Sequence, residues 1–97
     1  MTTFKFYSDA AHGWLAVKYQ LLIDLGCAEE ITSYSYQRGG TVYLEEDQDV
    51  ETFVRAYTAR YGVAPVIAPS RWASRSRIRG YAPYRGARPF GAPITAQ

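Results

Sequence analysis

No carboxylate follows Glu51 in this chain of 97 residues, and that absence divides it in two. Residues 66–97 carry Arg71, Arg75, Arg77, Arg79, Arg85 and Arg88 without one acid, a balance of +6. Residues 1–65 carry nine acids against five bases, a balance of −4. The formal total of +2 therefore describes neither part. In the basic part Gly and Pro recur and apolar residues stand singly, so little area is available to offset the entropy of ordering. The expected partition is one α+β domain over residues 1–67 and a flexible, extended Arg/Gly/Pro-rich tail over residues 68–97.

Within the first part the clearest element is a helix. Val50, Phe53, Val54, Tyr57 and Tyr61 recur at helical spacing and form one apolar stripe that ends at Gly62. Asp47 or Asp49 can cap its start, where acids suit the helix dipole. Upstream, Thr3–Tyr7 alternates like a strand. Residues 14–25 read best as a strand to Val17 and then a helix, because one continuous helix would turn Lys18 into its own apolar stripe. Gly26 is the expected left-handed stop. Ile31–Gln37 and Thr41–Glu45 form two β-rich runs around Arg38-Gly39-Gly40, a tight hairpin turn. Tyr34, Tyr36, Val42 and Leu44 are expected on one face of that hairpin, and Ser33, Ser35, Thr41 and Tyr43 on the other. The order predicted is ββαββα, around an antiparallel sheet of about four strands, with Val66-Ile67 as a short edge strand.

The bulk properties narrow the class. A single cysteine, Cys27, permits no intramolecular disulfide, which favours a reducing compartment. No signal-peptide pattern opens the chain, and no apolar run reaches the roughly 20 residues that span a bilayer. A cytoplasmic protein is expected, with no membrane partner. Nine tyrosines suggest half-buried sheet faces or a contact surface.

Catalytic chemistry finds little support. His12, the only histidine, lies three residues after Asp9 and could act as a general base with Asp9, or with Asp9 and Lys18; beside Gly13 it reads more simply as a turn residue. One histidine, one cysteine and scattered acids lack the spacing of a dedicated metal site. Cys27 follows a helix C-terminus and precedes Glu29 and Glu30, a setting that disfavours a thiolate. Gly39-Gly40 lacks the Lys-Ser/Thr of a phosphate loop. No enzyme and no cofactor is expected.

Two charged surfaces remain as candidate binding sites. Glu45, Glu46, Asp47 and Asp49 form an acidic patch that could dock on a basic groove, or be a solvated helix start. In the tail, Arg71, Trp72, Arg75, Arg77, Arg79, Tyr81, Tyr84, Arg85 and Arg88 interleave guanidinium groups with aromatic rings, joined by Phe90. That combination suits single-stranded nucleic acid, RNA or an acidic protein groove, or simply keeps the chain soluble.

Four strings, Phe6-Tyr7-Ser8-Asp9, His12-Gly13-Trp14-Leu15, Ser33-Tyr34-Ser35-Tyr36 and Tyr43-Leu44-Glu45-Glu46-Asp47, resemble small standalone proteins of bacteriophages, prophages and plasmids. The resemblance covers residues 4–62 and leaves the basic part outside. It implies a bacterial host and a mobile-element role, and it brings no catalytic residues. With size and charge it favours a binding protein that blocks a host protein or ribonucleoprotein, as CRISPR inhibitors and other anti-defence proteins do; a rigid surface of roughly 800 Å² is enough for that. The alternative is a nucleic-acid-binding accessory protein that works through its arginines.

Overall fold

The computed structural model describes residues 2–85, and the elements fall where local chemistry puts them. Strand β1 (Thr3–Ser8) leads through a turn into β2 (Gly13–Lys18), and α1 (Tyr19–Asp24) follows at once. Lys18 is exposed at the junction, where its extended backbone (φ −71°, ψ 138°) ends the strand and caps the helix. Gly26 takes φ +74°, and a 3₁₀ turn (Ala28–Glu30) follows. A two-residue turn, with Gly39 at φ +59°, joins β3 (Tyr36–Arg38) to β4 (Thr41–Glu45). Helix α2 (Asp49–Tyr61) ends at Gly62 with φ +77°, whose N–H reaches the Thr58 carbonyl at 2.8 Å.

The sheet is mixed. Its order is β5-β1-β2-β4-β3-β7, where β5 is Val66–Ile67 and β7 is Ala82–Pro83; β6 (Arg71–Trp72) pairs with β1 as well. Strands β1 to β4 pair antiparallel, whereas β5 and β6 run parallel to β1. The expected antiparallel-only sheet is corrected by those two short strands.

Register sorts the side chains. Leu15 opposes Leu44 and Val17 opposes Val42, and all four are buried beneath the helices with Phe4, Leu22 and Phe53. Phe53 is fully enclosed, and its ring meets Phe4 edge-on at 5.3 Å. Burying a phenylalanine this completely contributes about 1.5–3 kcal/mol. The other face carries Lys5, Tyr7, Trp14, Ala16, Tyr36, Tyr43 and Glu45, because Tyr7 opposes Trp14, Trp14 opposes Glu45, and Tyr36 opposes Tyr43. The expected grouping of Tyr36 with Val42 and Leu44 is thus overturned. The first β-rich run forms a strand only from Tyr36, one residue out of the assumed register, and a slip of one residue exchanges the faces.

The expected tail also needs correction. Residues 68–85 form a strap that runs from one sheet edge to the other. It pairs with β1 at Arg71–Trp72, makes a 3₁₀ turn at Arg77–Gly80, and pairs with β3 at Ala82–Pro83. Ile78 and Tyr84 are each only 3% exposed, and Tyr84 belongs to the main core. Its hydroxyl donates to the Ala28 carbonyl at 2.6 Å, and its N–H donates to the Ser35 carbonyl at 2.8 Å. Two single apolar residues are enough here because polar anchors hold the segment between them. Among the described residues no helix is long and apolar enough to cross a membrane.

Candidate functional site

One carboxylate of the body gathers several bonds from the middle of the strap. Asp9 is buried in the β1–β2 turn, where its Oδ1 accepts the backbone N–H groups of Ala11 and His12 at 3.0 and 3.1 Å. From the strap it accepts the Ser76 N–H at 3.1 Å, Arg79 Nε at 2.6 Å and Arg79 Nη2 at 2.9 Å. The Arg79 guanidinium, with these N–H donors, holds the Asp9 carboxyl far below the usual carboxylate range. Arg79 then lies over the Trp14 ring, 5.4 Å from its centroid. Further along, Tyr81 packs on Tyr43 at 5.2 Å, with the Arg38 guanidinium 5.1 Å from its ring.

Between strap and sheet lies a groove of about 480 Å³ lined by Tyr7, Tyr43, Arg71, Arg75, Arg77 and Tyr81, among others. Tyr7 and Tyr43 continue into a second depression of about 310 Å³, which adds Lys5, Lys18 and Thr41. Neither lining includes a carboxylate. Among the described residues Arg71, Arg75 and Arg77 make no ion pair; only Arg55 and Arg79 do. Trp72, on the same stretch, is 66% exposed.

A third cavity, about 380 Å³, opens at the end of the sheet where the β1–β2 turn meets the β4–α2 turn. Trp14, Tyr34 and Tyr36 line it together with His12, Glu45, Asp47, Gln48 and Arg79. The two turns are joined by the Glu46 N–H, which donates to the Gly13 carbonyl at 3.1 Å. Gly13 is required at this contact, since a Cβ there would lie 2.5 Å from the Phe6 ring and 2.7 Å from a Glu46 carboxylate oxygen.

The predicted acidic patch divides. Glu46 and Asp47 are exposed. Glu45 is half-buried, and its carboxylate accepts the N–H groups of Asp47 and Gln48, each at 3.0 Å. Asp49 is 1% exposed and leaves the patch altogether. Its carboxylate accepts the Thr32 hydroxyl at 2.8 Å, the Thr32 N–H at 3.1 Å and the Ser35 hydroxyl at 2.5 Å. Neither Asp47 nor Asp49 caps α2; Gln48 occupies the cap position without a side-chain bond. The adjacent Ser35 was the missed signal, a serine placed to hold both Asp49 and the Glu45 N–H, the latter at 2.9 Å.

The predicted basic residues divide likewise. Arg71, Trp72, Arg75, Arg77 and Arg85 are exposed, Tyr81 is half-buried, and Arg79 and Tyr84 anchor the strap. Arg88 and Phe90 lie outside the described residues. Cys27 is buried, and burial with nearby Glu30 pushes its thiol up, which keeps it protonated.

No protein-family model, curated protein or solved structure gives a significant match to this chain.

Proposed function

We propose that this protein binds single-stranded nucleic acid across the second face of its sheet. The observation that carries the reading is the pair of adjoining depressions that share Tyr7 and Tyr43 and present Lys5, Lys18, Arg71, Arg75 and Arg77 with no carboxylate in their linings. Phosphates suit the cations, and guanidinium groups add bidentate bonds. Bases suit the tyrosine rings and the exposed Trp72, since stacking tolerates any sequence. The acidic patch is a weaker candidate for partner binding, because Asp49 is spent inside the fold and Glu45 on its own turn. A protein of this kind needs no chemistry. Encoded on a mobile element, it would act by occluding a nucleic acid or ribonucleoprotein of its bacterial host.

Fluorescence anisotropy with short labelled DNA and RNA strands, read over a range of salt concentrations, tests this. Binding should weaken with salt, and replacing Arg71, Arg75 and Arg77 together by alanine should reduce the logarithmic slope by about 2, at roughly 0.7 per phosphate contact. Those side chains are exposed, so the variant should stay folded. Affinity indifferent to the triple substitution would remove the groove from the reading.

A further inference from the structure

We infer that His12, Glu45 and Asp47 form a binding site for one divalent transition-metal ion, with Zn²⁺ as the natural probe. The imidazole comes from the β1–β2 turn, and the carboxylates from the last residue of β4 and from the β4–α2 turn, 33 and 35 positions further along the chain. One ligand atom from each residue lies within 4.8 Å of the others, a spread that modest side-chain rotation closes around an ion. An imidazole with carboxylates suits Zn²⁺ and its first-row neighbours better than Ca²⁺ or Mg²⁺, which prefer all-oxygen shells.

Charge supplies an independent reason. Glu45 and Asp47 sit close together, and among the described residues neither has an ion-pair partner. Arg79 lines the same cavity, yet its guanidinium is bound by both oxygens of Asp9. That guanidinium is therefore committed elsewhere, and a bound ion would be attracted by both carboxylates. The backbone favours the arrangement too. The Glu46–Gly13 hydrogen bond locks the two turns together, and the N–H groups of Asp47 and Gln48 fix the Glu45 carboxylate while leaving lone pairs for a metal. Three protein ligands leave a further position open toward the cavity, where water completes the shell.

The test is calorimetric titration of the tag-free, full-length chain with ZnCl₂ in excess Mg²⁺, followed in parallel by the imidazole signals in NMR. His12 is the only histidine, so those signals have one source. The expected result is one equivalent bound per chain with a shift of the His12 resonances. His12→Ala and Asp47→Asn should each weaken binding by about tenfold or more, while the amide spectrum stays dispersed. Neither substitution removes a backbone group, so the Asp9 turn and the Glu45 bonds persist. Absence of saturable binding, or an affinity that both substitutions leave unchanged, overturns the site.

Discussion

Asp9 and Arg79, 70 residues apart in sequence, meet side by side through two hydrogen bonds of 2.6 and 2.9 Å. The pairing makes the basic segment part of the scaffold before it can be anything else. It also sets a pH dependence. The Asp9 carboxyl is held far below its ordinary value in the folded state, whereas an unfolded aspartate titrates near 3.9. Its contribution is therefore complete above about pH 5 and is lost as pH falls below about 4 toward the depressed folded value. Asp9→Asn should lower stability at neutral pH and flatten that acid limb. Urea melts from neutral to acid pH check it, and an unchanged limb would mean that Asp9 does not couple strap to body.

Tyr84 should separate hydrogen bonding from packing. Tyr84→Phe removes the donor to the Ala28 carbonyl and leaves that buried acceptor unpaired, a cost of about 1–3 kcal/mol. Tyr84→Ala also empties a place in the core and should cost about 3–5 kcal/mol. Chemical denaturation gives both values. A chain cut after residue 70 should be worse than either, because it strips Asp9 of Arg79 and the core of Tyr84 together.

Asp49 should behave as a structural residue and not as a contact residue. Asp49→Ala leaves the Thr32 and Ser35 hydroxyls and the Thr32 N–H without their acceptor, and should cost about 3 kcal/mol. Asp49→Asn should cost less. Near-normal stability in the alanine variant would return this carboxylate to the acidic surface.

Trp72 should show the reverse pattern. At 66% exposed it contributes little to folding, so Trp72→Ala should move stability by less than about 0.5 kcal/mol. Its removal should weaken binding to a single strand by about 1–3 kcal/mol if a base stacks there. Anisotropy and thermal melting on the same preparation separate the two effects.

How legible all this was depended on where the physical cause lay. The split at Lys18, the stops at Gly26 and Gly62 and the turn at Gly39 are local consequences of solvation and backbone geometry, so neighbouring residues declared them. The strap was hidden because its anchors are distant. Ile78 and Tyr84 stand alone among polar neighbours, and only Asp9, Ser35 and Ala28 explain why they are held. Asp49 misled for a related reason, since an acid at a helix start satisfies the surface pattern and the buried one equally well until Thr32 and Ser35 are in place. The meeting of His12 with Glu45 and Asp47 depends on β2 pairing with β4, a register that composition does not record.

The strap has one more consequence, for how a partner can approach. Val66–Ile67 and Arg71–Trp72 occupy the outer side of β1, and Ala82–Pro83 occupies the outer side of β3. The principal strands therefore offer little unpaired main chain to a visiting peptide, and Pro83 brings no N–H of its own. Recruitment by adding a strand finds only the two-residue rims of β5, β6 and β7 among the described residues, and fibril-like stacking has as little to build on. Among the described residues, recognition is therefore left mainly to side chains read across a face.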